Sequence, residues 1–204
     1  YQTAADIERI MTDCRDAGFS AVMFQVRGNG TVAYRSSLEL WSERFGFKDP
    51  GFDPLRTAVT AAHARGLQLH AWLNLMPGWV GTEAPKDPRQ LKAARPDWFL
   101  HNRDGHGQAP KAGKYLALNP CLPEVRTYLA NLVREVASNY DIDGVHIDYV
   151  RFPDPEGDDV DALGTDSRTL GLFTAATGKP VTDAAALQQW QTSCVTQIMQ
   201  QVAA

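Results

Sequence analysis

The chain has 204 residues, 44% hydrophobic and 22% charged, with a formal net charge of −4. That is the composition of an ordinary globular domain with a core of useful size. Both signs of charge are spread along the chain and no basic tract occurs, which argues against nucleic acid as a partner. No apolar run is long enough to span a membrane, and no signal peptide is read. Cys14, Cys121 and Cys194 are an odd set at wide spacing, with no CxxC or CxxH pairing. Neither a structural zinc nor a disulfide framework is expected from them. Cys14 and Cys194 fall on apolar helix faces and read as buried thiols.

The first predicted helix runs from Thr3 to Ala17, with Ile7, Ile10, Met11 and Cys14 on one face and Gly18 as its stop. The strand "FSAVMFQVR" follows. "FDPLRTAVTAAHARG" predicts a helix with Asp53 as N-cap, Pro54 at the first helical position and Gly66 past the end. It leads into the strand "LQLHAWLN". A third helix starts at Pro123, turns Val125, Tyr128, Leu129, Leu132, Val133 and Val136 inward, and leads into the strand "DGVHIDYV". The last helix, capped by Asp183, carries Leu187, Trp190, Cys194 and Ile198 towards the core.

Four helices alternating with three apolar strands predict a parallel sheet covered by helices. The links from helix to strand are tight, whereas those from strand to helix cover residues 28–52, 75–122 and 151–183. Loops of that length are usually functional, and parallel α/β proteins build their sites at the carboxyl ends of strands. Three parallel strands cannot close a barrel, and an eight-stranded one takes about 250 residues. The expectation is therefore a single domain, residues 1–204, forming part of a (β/α)8 barrel: about strands two to four, with a companion segment or self-association covering the open sheet.

Alternation puts Gln25 and Arg27 on one face of the first strand, His70, Trp72 and Asn74 on one face of the second, and His146 and Asp148 on one face of the third. The loops add Tyr34, Trp41, Trp79 and Trp98, flat rings suited to the apolar faces of sugars. Asp148 is the leading candidate for chemistry, because an acid late in an apolar strand must be paired or face a cleft. Tyr149 and Arg151 flank it. Each of the others has a plainer reading: Gln25 and Asn74 as partners of backbone groups at the strand ends, Arg27 and Arg151 as halves of ion pairs, His70 and Trp72 as core. His63 reads as surface, and His101 and His106 sit in the turn "HNRDGHG". "RGNG" is too short for a dinucleotide fingerprint, no GxSxG occurs, and no cofactor is indicated. A metal site of His70, His146 and Asp148 is not demanded by the spacing.

The blocks "FQVRGNGTVAYRSSLELWSERFG", "PGFDPL", "AHARGLQLHAWLN", "LNPCLPEVRTYL" and "YDIDGVHIDYVRFP" cover nearly the whole chain. In that order they resemble the bacterial glycosyl-hydrolase-like family 10. The resemblance implies a (β/α)8 barrel, an envelope or secreted setting, and action on peptidoglycan glycan strands. It also implies that Asp148, at the end of the fourth barrel strand, is a nucleophile. The residues that alternation puts beside it, Gln25, Arg27, Trp72, Asn74 and His146, and its neighbours Tyr149 and Arg151 are the candidates for holding substrate. Glycoside hydrolysis takes two carboxyl groups. In related barrels the second comes from strand five or six, which are expected to lie outside this chain, and loop acids such as Asp154, Glu156, Asp158 and Asp159 are the candidates left in it. The chitinase-type pattern "DGxDxDxE" is rejected, because Val150 stands where its proton donor would be. A glycan-binding protein without hydrolysis, and a metal-dependent hydrolase, remain as alternatives.

Overall fold

A computed structural model describes residues 1–153 and 163–203. In chain order the elements are α1 (Ala4–Asp16), β1 (Ala21–Arg27), α2 (Pro54–His63), β2 (Gln68–Asn74), β3 (Pro77–Val80), α3 (Leu91–Ala94), β4 (Tyr115–Ala117), α4 (Pro123–Asn139), β5 (Gly144–Asp148), α5 (Ser167–Thr177) and α6 (Ala184–Val202). They divide between two compact units, Tyr1–Leu75 with Leu132–Tyr149, and Met76–Asn131 with Val150–Ala204. Among the described residues no helix is long and apolar enough to cross a membrane.

The first unit is built on the parallel sheet β1-β2-β5. Its helices start where the sequence provides caps. The Thr3 hydroxyl accepts the Asp6 N–H at 3.2 Å, and the Asp6 carboxylate reaches back to the Thr3 N–H at 3.1 Å, a reciprocal cap for α1. Asp53 caps α2, with Pro54 in the first turn, where its missing N–H costs nothing. Both helices pack against each other, and α2 packs on β1 and β2. Phe24, Val26, Leu69, Ala71 and Leu73 form the buried face of β1 and β2. The opposite face is more open, with Met23 58% exposed.

Register aligns the open face in rows. His70 pairs with Gly144, Gln25 with Trp72 and Trp72 with His146, and Asn74 with Asp148. Gly144 lets the His70 ring lie across it: a Cβ there would meet His70 Nδ1 at 2.6 Å. Gly144→Ala must displace that imidazole and is expected to cost about 1–3 kcal/mol. A lowered urea midpoint would show this, while an unchanged one would mean that His70 swings away freely.

At the amino end of β5, the Asp143 carboxylate accepts the Leu69 N–H at 2.8 Å and lies 2.8 Å from His63 Nε2. His63 is thus a partner of Asp143 as well as a surface residue. The Leu69 N–H, and secondarily His63, hold the Asp143 carboxyl below the usual carboxylate range. A depressed native value stabilises the fold above the ordinary carboxylate range, and that contribution is lost as pH falls through the native value. Carbon-13 titration is expected to place Asp143 below the exposed carboxyls. An ordinary midpoint would mean that the Leu69 hydrogen bond is not kept in solution.

The second unit holds more regular structure than its sequence announces. The antiparallel pair β3-β4 and the short α3 lie within the predicted 75–122 loop, and α5 lies within 151–183. Asp166 caps α5 through the N–H groups of Arg168 and Thr169, and Gly178 ends it in a left-handed conformation (φ 67°). On α6, Leu187, Cys194 and Ile198 are buried as read from the sequence. Cys14, by contrast, is half-buried on α1.

Candidate active site

The carboxyl ends of the three parallel strands meet in the first unit. Beyond the register pair Asn74–Asp148, the Leu75 N–H donates to the Asp148 carbonyl at 3.0 Å, carrying the β2–β5 pairing one residue further. Asp148 is half-buried, and its Oδ1 accepts the N–H of the next residue, Tyr149, at 2.7 Å. That bond accompanies a left-handed backbone at Tyr149 (φ 55°). An aromatic residue in this region carries strain of about 1–3 kcal/mol, and such strain clusters at functional sites.

Asn74 and Trp72 act together. Asn74 Oδ1 accepts the Trp72 indole N–H at 2.9 Å, which fixes the plane of the ring. The indole stands edge-on to His146, with ring centres 5.7 Å apart at 90°. Gln25, Trp72 and His146 are all half-buried in one row, with Asp148 two residues along β5 from His146. This is a polar and aromatic surface ending in a carboxylate. An aromatic face with hydrogen-bonding groups at its margin suits a sugar ring.

Arg27 differs from its expected role. It is 0% exposed, and its guanidinium grips Glu39, with Nε to Oε2 at 2.9 Å and Nη2 to Oε1 at 2.6 Å. Nη1 donates to the carbonyl of Leu75 at 3.0 Å and to that of Asn74. A side chain so enclosed ties the 28–52 loop to the end of β2; it does not present a donor to substrate. Its ion-pair partner is Glu39, whose side chain is 1% exposed. The same loop is held again by Glu135, which accepts from Ser36 Oγ at 2.6 Å, the Ser37 N–H at 2.6 Å and Ser37 Oγ at 2.7 Å.

The proposed aromatic platform is also thinner than expected. Tyr34 is fully buried, edge-on to Tyr140 at 5.9 Å, and Trp98 is buried against Tyr128 at 5.1 Å, so both are core. Trp41 and Trp79 are half-buried. Arg151 is exposed and belongs to the second unit. Asp154, Glu156, Asp158 and Asp159 lie outside the described residues. Among the described residues no group of three or more His, Cys, Asp or Glu side chains gathers in a metal-holding arrangement. Glu39 and Glu135 were missed from sequence. The one signal for Glu39 was an acid between leucines in "LEL", which must find a partner if that stretch is buried.

Parallel strands alternating with helices, with a carboxylate at a strand's carboxyl end, define an α/β protein. The chain belongs to the family Glycosyl hydrolase-like 10, whose profile matches residues 2–204. It is 28% identical over 171 residues to "Glycosyl hydrolase DigH" of Escherichia coli (strain K12), covering 78% of this chain and 37% of that protein. It is 31% identical over 150 residues to "Glycosyl hydrolase YngK" of Bacillus subtilis (strain 168), covering 71% of this chain and 28% of that protein. The chain thus spans about a third of the length of these relatives. Among solved structures, alpha-L-fucosidase isoenzyme 2 from Paenibacillus thiaminolyticus superposes with a TM-score of 0.67 at 14% identity, over 98% of this chain and 26% of that one. At that identity the likeness concerns the fold alone.

Proposed function

We propose that this chain supplies one side of the active site of a glycoside hydrolase that cleaves a bacterial polysaccharide outside the cytoplasm, namely peptidoglycan glycan strands. Asp148 is the nucleophile. The observation that carries this reading is the carboxylate at the end of β5, in register with Asn74 and next to the strained Tyr149. Trp72, held by Asn74, offers a face to the sugar, and Gln25 and His146 offer hydrogen bonds to its hydroxyls. The Asp148 carboxylate attacks the anomeric carbon as the glycosidic bond breaks. A second carboxyl group, from outside the three strands described here, protonates the leaving oxygen and then deprotonates the incoming water.

A second reading has its own support. On β1, β2 and β5, Asp148 is the one carboxylate, and hydrolysis takes two. A barrel without the second acid is a glycan-binding protein. Hydrolysis of a panel of purified glycans by the full-length protein, peptide-free peptidoglycan strands included, separates the two. Release of reducing ends supports the hydrolase. Binding without release from any glycan supports the reader, and neither binding nor release ends both.

A further inference from the structure

The hydrogen bonds at the carboxyl end of the open sheet face leave two polar atoms without a partner among the described residues. The Trp72 indole N–H can only donate, so the Asn74 atom that meets it at 2.9 Å is the amide oxygen. Trp72 lies two residues back along β2, which turns Oδ1 towards the amino end of the strand. The amide is planar, so Nδ2 is turned the other way, towards the carboxyl ends of the strands. Asn74 is 8% exposed, yet Nδ2 donates to no described group.

On the neighbouring strand, Asp148 is in register with Asn74, so the two side chains leave the sheet on one face, about 4.8 Å apart at their Cα atoms. Asp148 Oδ1 accepts the Tyr149 N–H at 2.7 Å, and Oδ2 accepts from no described residue. A donor in need of an acceptor thus stands beside the carboxylate. Leaving a donor unpaired in a side chain more than nine-tenths buried is costly, and an acceptor brought by a ligand removes that cost.

We propose that Asn74 Nδ2 donates to the acetamido carbonyl on C2 of the sugar whose anomeric carbon faces Asp148, and that this bond selects N-acetylated over de-N-acetylated glycan strands. The inference rests on the reading of Asp148 as nucleophile. A carboxylate that attacks the anomeric carbon stands against it, so a donor one strand away reaches a substituent of the adjoining carbon. In peptidoglycan strands that substituent is an acetamido group, whose carbonyl accepts. De-N-acetylation leaves an ammonium there, which has N–H donors and no acceptor. Nδ2 then faces another donor and stays unpaired. A site built to hydrogen-bond one group rejects the analogue that lacks it, because its own buried polar atom is left unsatisfied. Trp72 offers the same face to both sugars, so the choice falls to Asn74.

The test is the binding of peptide-free peptidoglycan strands, N-acetylated or chemically de-N-acetylated, to the full-length Asp148→Asn protein. In that form bound strands are not consumed, and no carboxylate at the end of β5 attracts the ammonium. Salt is kept high enough to screen the general charge of the strands. N-acetylated strands are expected to bind about 10–100-fold more tightly. Adding Asn74→Asp is expected to reverse the preference. One carboxylate oxygen still accepts the Trp72 indole N–H, while the other pairs with the ammonium and repels the carbonyl. Equal binding of the two strands, or binding of neither, overturns the proposal without any change at Asn74. A preference that survives Asn74→Asp also overturns it, since Asn74 then acts only by holding Trp72. Release of reducing ends by the wild-type protein is scored separately. If nothing is cleaved while the preference and its reversal hold, the hydrolase reading fails and the selecting role of Asn74 stands. Cleavage without the preference leaves the hydrolase and removes the selector.

Discussion

Replacing Arg27 by Met is expected to destabilise the chain by about 3–5 kcal/mol, the usual result of removing one partner from a buried ion pair. Glu39, 1% exposed, would lose the guanidinium that it pairs with, and the carbonyls of Asn74 and Leu75 would lose their guanidinium donor. Urea unfolding followed by circular dichroism measures the loss. The double variant Arg27→Met/Glu39→Leu is expected to recover much of it, because two buried charges with near-ideal geometry contribute little net stability over a well-packed apolar pair. If the single variant unfolds at the wild-type midpoint, the ion pair is open to water and the anchoring role of Arg27 is wrong.

The largest effect on activity is expected from Asp148→Asn in the full-length protein. Asn is nearly isosteric, and its side-chain oxygen still accepts the Tyr149 N–H, so the left-handed turn and the strand end are retained. What disappears is the negative charge and the nucleophile. Loss of a group that forms the bond in the chemical step lowers kcat by about 10³-fold or more. Since Trp72, Asn74 and His146 are untouched, KM and glycan binding are expected to stay near wild type. A variant that loses binding along with turnover would make Asp148 a substrate-holding residue, and one that keeps turnover would remove it from the mechanism.

The parts of this fold that rest on local chemistry are legible in the sequence. Asp53 and Asp183 each cap the helix expected of them, and β1, β2 and β5 lie where β-branched and apolar runs end at the long connections. Alternation assigned Gln25, Trp72, Asn74, His146 and Asp148 to one face of the sheet, and the register puts them in adjoining rows. What was not legible depends on pairing across distance. β3 contains Pro77 and Gly78, which argue against a strand until β4, some 35 residues on, supplies the partner. α5 carries Gly171 among threonines, a weak helix former whose stability comes from its Asp166 cap and from packing on α6.

The candidate site shows the same division. The strand-end position of Asp148 followed from an acid in an apolar run. The partner of Arg27 did not, because nothing local distinguishes Glu39 from Asp148 as its counter-charge; only the fold of the 28–52 loop, which returns the Val32 N–H to the Leu40 carbonyl at 2.9 Å, brings Glu39 inward. Tyr34 and Trp98 looked like platform residues because loop aromatics are often exposed, yet both fill the core of their units. The strain at Tyr149 has no sequence signature, since its neighbours contain no glycine or asparagine that would mark a left-handed position.

The proposed reaction depends on a covalent bond between Asp148 and the sugar. Rapid acid quenching of the full-length protein during turnover of peptidoglycan glycan strands, followed by peptide mapping, is expected to find a glycosyl group esterified to Asp148. A glycosyl group on a different carboxylate, or steady turnover with Asp148 never modified and Asp148→Asn fully active, would contradict it.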